Sequence, residues 1–189
     1  MIIERTHVSA DEFLEIQTPD TVRLELDEGN LVVSPHNIFP HQYTARRLEN
    51  ILAEWAENHR AGIVVHEMDI RLGDRTVRAP DIVFIATEQK HILKRRRIIG
   101  APKLVIEVLS ESTEATDRGV KTRQYAAAGV AHYWLVDPIA QTFELFENRA
   151  GVFTPTGRFA ANAEISPPAF PGLRFSAAAL WLTELPPDE

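Results

Sequence analysis

Two carboxylates and one amine stand in this chain where they could act together on a phosphate ester. Asp81 opens the apolar run DIVFIA directly after Pro80, Glu107 interrupts the apolar run KLVIEVL, and Lys121 lies in the helix-forming stretch that follows. Magnesium and manganese favour oxygen ligands, and magnesium commonly takes one or two protein carboxylates while water and phosphate oxygens complete its shell. Asp81 and Glu107 supply such a pair. A metal ion held there would activate an attacking water, and a lysine nearby would stabilise the negative charge that develops on the phosphate. The pattern points to metal-dependent phosphodiester hydrolysis.

Each residue also has a plainer reading. Along a strand, Val105, Glu107 and Leu109 share one face and Leu104, Ile106 and Val108 the other. Glu107 therefore sits in apolar surroundings, where an ionised carboxylate is costly unless a cation or donor compensates it. The plain alternative is a strand-end glutamate paired with an arginine. For Asp81 it is a turn residue after proline, and for Lys121 a solvated helix lysine paired with Asp117, four residues earlier. Tyr125, four residues after Lys121, falls on the same helical face. Glu25 between Leu24 and Leu26, Asp69 between Met68 and Ile70, and His41 at the start of a long helix are weaker additions to the site.

Other chemistries are absent from the sequence. Residues 66–70 read HEMDI, so the zinc-protease pattern HExxH fails, and no GxxxxGK[ST], GxGxxG or GxSxG occurs. With no cysteine, thiolate metal sites and thiol nucleophiles are excluded, which agrees with a cytoplasmic protein. The first residues carry Glu4, Arg5 and Asp11 and show no signal-peptide core, and no apolar run approaches the roughly 20 residues that cross a bilayer.

The net charge of −7 opposes a generally DNA-binding surface, but its distribution is uneven. Residues 1–30 hold two basic and eight acidic side chains, whereas residues 90–97, KHILKRRR, hold five Lys or Arg and no carboxylate. Lys94, Arg95, Arg96 and Arg97 are the candidate phosphate contacts; a solvated loop is the plain alternative.

The elements that must position these residues follow from periodicity and punctuation. A chain of 189 residues, 44% hydrophobic and 25% charged, is expected to form one domain, 1–189. Ser9 and Glu12 form a capping-box pattern before a helix over Ala10–Ile16. VRLEL and NLVVS around Gly29-Asn30 predict a hairpin, so that helix and hairpin occupy 9–34. Leu48, Ile51, Leu52 and Trp55 predict a helix over His41–Asn58. Strands follow at Ile63–Leu72, Asp81–Ala86 and Lys103–Leu109, the last with the continuous apolar character of a strand covered on both faces. A helix from Ser112 or Thr113 to Gly129, a strand over His132–Val136, a hairpin (Thr142–Phe146 and Gly151–Thr156) and a proline-rich tail complete a three-layer mixed α/β domain. Its core spans about 37–140, with a C-terminal hairpin and tail over 141–189.

Taken together, EGNLVVSP, RAPDIVFI, APKLVIEVLSEST, DRGVKTRQYAAAGVAHYWLVDP and PPAFPGL resemble the Uma-type family of bacterial restriction-endonuclease-like proteins, within the PD-(D/E)XK nuclease superfamily. The resemblance runs over roughly residues 10 to 185. It implies a restriction-endonuclease-like core, αβββαβ, with a mixed, mostly antiparallel central sheet flanked by helices and an N-terminal β-hairpin extension. It also implies that Pro80 and Asp81 stand for PD and Glu107 for the acidic residue of (D/E)XK. Leu109 occupies the lysine slot, and Lys121 on the following helix takes that lysine's place. Glu25 falls where similar sequences often carry an acidic residue. The implied activity is Mg- or Mn-dependent cleavage of nucleic acid, DNA before RNA; a homodimer is expected because a compact domain that cuts two strands usually works in pairs. The competing expectation is a non-catalytic binding or regulatory module that keeps the nuclease fold.

Overall fold

The computed structural model describes residues 2–3, 7–16, 23–34 and 38–184. Val22, Pro35 and the end of the tail, all within the segments named above, lie outside the described residues.

A short strand β1 (Ile2–Ile3) precedes α1 (Ala10–Leu14), which begins where the capping box predicts. The Glu12 N–H donates to Ser9 Oγ, and the Ser9 N–H donates back to the Glu12 carboxylate at 2.8 Å. The hairpin follows as β2 (Arg23–Asp27) and β3 (Asn30–Ser34). Glu28 and Gly29 both have positive φ, the pairing that suits the twist of a two-residue hairpin turn. The long helix α2 (Phe39–Asn58) starts two residues earlier than its apolar spacing suggests, with Pro40 in its first turn.

One expectation changes here. The run Ile63–Leu72 is two strands, β4 (Gly62–His66) and β5 (Ile70–Gly73), belonging to different sheets. Glu67 takes a left-handed φ of 46° and its N–H donates to the Asp81 carbonyl at 3.2 Å, so the chain turns out of one sheet into the other. Asp69 therefore sits in the link between them and not on a strand. Alternating hydrophobicity in the sequence does not reveal such a break, because the apolar spacing of IVVHEMDIRL runs on across Glu67.

The chain continues through β6 (Thr76–Arg78), β7 (Ile82–Ala86), a 3₁₀ turn over Thr87–Ile92, β8 (Ile98–Ile99) and β9 (Leu104–Val108). The next helix is interrupted: α3 (Glu114–Thr116) passes through a π turn (Asp117–Lys121) into α4 (Thr122–Ala128). It stops at Gly129, whose φ of 93° is the left-handed cap glycine favours. Then come β10 (His132–Asp137), the hairpin β11 (Thr142–Arg149) and β12 (Val152–Phe159), and the small pair β13 (Glu164–Ile165) and β14 (Phe175–Ser176).

The central sheet has the order β12-β11-β10-β9-β7-β4. Its ladders are antiparallel except β9 with β10, which the α3–α4 segment joins as a parallel crossover. The succession α2, β4, β7, β9, α3–α4, β10 is the αβββαβ core. The N-terminal hairpin does more than extend it. With β1, β5, β6 and β8 it forms a second six-stranded sheet, ordered β1-β3-β2-β6-β5-β8.

β9 is buried along its whole length, as its apolar run predicts. On one face Leu104, Ile106 and Val108 join Leu48, Leu52 and Trp55 of α2 and the rings of Trp134 and Phe170. On the other, Val105 and Leu109 pack with Val83, Ile85, Tyr125 and Tyr133. Each fully buried aliphatic or aromatic side chain contributes about 1.5–3 kcal/mol relative to exposure. Glu107 belongs to the second face, so its carboxylate enters the core from the middle of the sheet. Among the described residues no helix is long and apolar enough to cross a membrane.

Candidate active site

Asp81 lies one residue ahead of β7, held in place by the strand next to it. Its Oδ2 accepts the Val108 N–H at 2.7 Å and stands 3.2 Å from His41 Nε2, while its Oδ1 lies 3.2 Å from Arg23 Nη1. One carboxylate thus fastens the entry of β7 to the end of β9, to α2 and to β2. His41 is buried, which places it in the cluster as the sequence suggests.

Glu107 reaches the helix. The Tyr125 hydroxyl donates to its Oε1 at 2.8 Å, and Lys121 Nζ stands 3.1 Å from the same oxygen. Lys121 also lies 2.8 Å from Asp117 Oδ1 and 3.7 Å from Glu25 Oε1. The plain reading of Lys121 as a solvated lysine fails: it keeps its Asp117 partner, but the pair is buried. A π turn is uncommon in helices and is found disproportionately at functional sites. Here it covers Asp117 through Lys121, and its first carbonyl is held by Tyr133 Oη at 3.1 Å and Thr122 Oγ1 at 2.7 Å.

Glu25 belongs to the same cluster. It takes the Ala79 N–H at 3.0 Å on Oε1 and Arg78 Nη1 at 3.1 Å on Oε2. Arg78 is itself fully buried, donates from Nε to Gln124 at 2.8 Å and places Nη2 2.7 Å from Asp27.

These neighbours push the two central carboxylates in opposite directions. Burial alone would raise Asp81, but the hydrogen bond and charge of His41, the Arg23 guanidinium and the Val108 N–H bring it down to about 2. For Glu107 burial prevails: it is raised to about 8, with the nearby charges of Asp117 and Asp81 adding to burial and Lys121 opposing it. Lys121 rises well above its ordinary value; burial opposes its charge, but Glu107, Glu25 and Asp117 outweigh it. Two adjacent carboxyls of opposite tendency, beside a firmly charged lysine, are typical of a functional site.

Asp81 and His41 border a groove on the surface. One lobe of about 330 Å³ is lined by His41, Gln42, Arg46, Glu49 and Asp81, and a second of about 570 Å³ by Asp69, Met68 and Arg96; both include Glu49, His66 and Glu67. Asp69 thus borders the groove, its carboxyl raised by burial and by the charge of Glu25. Lys94, Arg95 and Arg96 are exposed on a turn closed by the Lys94 N–H to the Arg97 carbonyl, 2.8 Å. Arg97 is half-buried, 3.8 Å from Glu15, so of the four only Arg96 lines the groove.

Three residues of the cluster escape a reading of motifs alone. Arg23 could be found from its position two before Glu25, on the same face of a strand. Asp117 is visible as the i−4 neighbour of Lys121, although its burial is not. Arg78 carries no local signal beyond its place ahead of Pro80.

The donor set suits a hard divalent cation: Asp81 and Glu107 offer only carboxylate oxygens, from adjacent strands. No group of three or more metal-ligating side chains occurs among the described residues. An all-protein cage is therefore absent there, and a two-carboxylate site of the magnesium kind is what the residues can build.

Comparison with known proteins gives a family and a fold. The family model Uma2, described as "Putative restriction endonuclease", matches residues 10–179. Five chains among solved structures match. One is described as a "putative nuclease belonging to DUF820" from Anabaena variabilis; it is 22% identical with a TM-score of 0.76, over 92% of this chain and 97% of that one. At that identity the likeness shows the fold. None of the curated proteins matches.

Proposed function

Because the chain belongs to the Uma2 family, "Putative restriction endonuclease", we propose that it is a Mg- or Mn-dependent endonuclease that hydrolyses DNA phosphodiester bonds. The observation that carries this reading is the meeting of Lys121 with Glu107 at 3.1 Å, across the face that also receives Asp81 and Glu25. Leu109, in the usual lysine slot, is buried among apolar side chains, and Lys121 supplies the amine from the helix.

Asp81 and Glu107 would hold the cation. When bound, it lowers the pKa of an attacking water and offsets charge on the phosphate. Asp81 is ionised at neutral pH and rigidly oriented by the Val108 N–H. Lys121 stays protonated and contributes positive charge where the phosphate gains negative charge. Tyr125 fixes the direction of the Glu107 carboxylate, and positioning of this kind is a large part of rate enhancement. Arg96 and Arg46, at the groove, would contact the DNA backbone. The reading extends to a homodimer acting in the cytoplasm, one copy for each strand.

Incubation of the purified protein with duplex DNA, single-stranded DNA and RNA in Mg²⁺ or Mn²⁺ tests it. Cleavage should require the metal and be lost in Asp81→Ala and Glu107→Ala. Cleavage retained by both variants refutes the assignment. Metal and DNA binding without cleavage under any condition would identify a non-catalytic module.

A further inference from the structure

The Arg23 guanidinium is inserted beside the carboxylates that would hold the metal. Its Nη1 lies 3.2 Å from Asp81 Oδ1 and 4.0 Å from Glu67 Oε1, and its charge acts on Asp81, Glu107 and Glu25 together. Yet the pose is poorly satisfied. Nε and Nη2 are both buried and have no hydrogen-bond partner among the described residues. An arginine normally satisfies its five donors, and leaving buried ones unpaired is costly. Electrostatic attraction to the carboxylates, and not a completed hydrogen-bond set, is what keeps the group there.

We infer that Arg23 is a resident cation of the carboxylate cluster, and that a divalent metal binds by displacing its guanidinium from Asp81. The inference rests on the metal-dependent reading above. Arg23 lies on β2, in the sheet that also carries Glu25, so its stem can swing toward the groove while Glu25 stays anchored by Ala79 and Arg78. Displacement trades one incompletely bonded ion pair for metal coordination and frees the two unpaired donors to reach water. In the metal-free protein the arginine balances the ionised Asp81 carboxylate, which would otherwise be buried without a full charge beside it.

Occupancy of a site by an internal competitor weakens apparent affinity in proportion to the time it is blocked. If the arginine is inserted about nine-tenths of the time, its removal tightens metal binding about tenfold. Calorimetric titration of Mn²⁺ into wild type, Arg23→Met and Arg23→Lys tests this. Arg23→Met keeps the apolar stem and should bind Mn²⁺ about tenfold more tightly; Arg23→Lys, which restores a cation, should return toward wild type. Equal or weaker binding by a folded Arg23→Met overturns the inference and leaves the metal-dependent reading standing. Should Arg23→Met fail to fold, the wild-type protein decides: the Arg23 Nε–H resonance, assigned by its loss in Arg23→Lys, should shift as Mg²⁺ is added, and a resonance unmoved at saturation overturns the displacement. Absence of Mn²⁺ binding by wild type and both variants removes the metal reading and this inference together.

Discussion

Lys121 Nζ stands 3.1 Å from Glu107 Oε1, a contact between a helix and the central strand that precedes it. The same ammonium reaches Asp117 at 2.8 Å and Glu25 at 3.7 Å. Removing one member of a buried ionic group leaves the others uncompensated, which costs about 3–5 kcal/mol. Lys121→Met should therefore destabilise the protein by about that amount in urea unfolding, as well as eliminate cleavage. A loss below about 1 kcal/mol would show that the three carboxylates do not depend on the amine.

The Glu107 carboxyl gives the metal-free protein a distinctive pH dependence. Its pKa rises from 4.5 to about 8 on folding, so between those values the native state holds a proton that the unfolded chain has released. Its contribution to stability is complete below 4.5 and is lost as pH rises through about 8. Urea midpoints measured across that window should fall with pH, and Glu107→Gln should remove that part of the slope.

Metal binding should run the other way. The cation needs the ionised carboxylate, so affinity for Mn²⁺ should increase as pH rises through about 8, with release of up to one proton per ion from Glu107. Calorimetry in two buffers of different ionisation heat measures that proton directly. Asp81, held down at about 2, contributes none in this range.

Tyr125→Phe deletes only the hydroxyl that donates to Glu107 at 2.8 Å. A hydrogen bond to a charged group contributes about 1.5–3 kcal/mol, and this one favours the ionised carboxylate. The variant should keep its fold, lose stability on that scale above pH 8, and shift the midpoint of Mn²⁺ binding to higher pH. An unchanged midpoint would mean that the tyrosine packs without tuning the acid.

Arg78 is a second buried cation, joined to Glu25, Asp27 and Gln124. Arg78→Leu should cost about 3–5 kcal/mol, whereas the double variant Arg78→Leu/Glu25→Leu should recover a large part of that loss. Chemical denaturation of the two variants separates the unpaired charge from the packing.

Local pattern carried much of this molecule. The continuous apolar run of β9, the Gly129 stop and the Ser9–Glu12 cap are short-range signals that lie where the sequence indicates, and the hairpin turn falls at Glu28-Gly29, one residue before the Gly29-Asn30 pair that announces it. Asp81, Glu107 and Lys121 stood out because a charge in an apolar run needs an explanation, and their convergence supplies one. What local pattern could not carry is the partition of strands between two sheets. The bend at Glu67 depends on a hydrogen bond to Asp81, and the burial of Arg78 depends on a strand far upstream. The partner of Arg23 is distant in sequence, so only its place on the Glu25 face of β2 marks it.

The Arg78–Glu25 pair joins residues 53 positions apart, and the Asp81–Arg23 pair residues 58 apart. Closing such long loops is slow compared with forming a helix or the β11–β12 hairpin. A chain that has built its central sheet but not yet docked β2 would expose Arg78, Asp81 and Glu107 to water. The carboxylate cluster would then be the last part of the protein to dry, and its formation would mark the completion of folding.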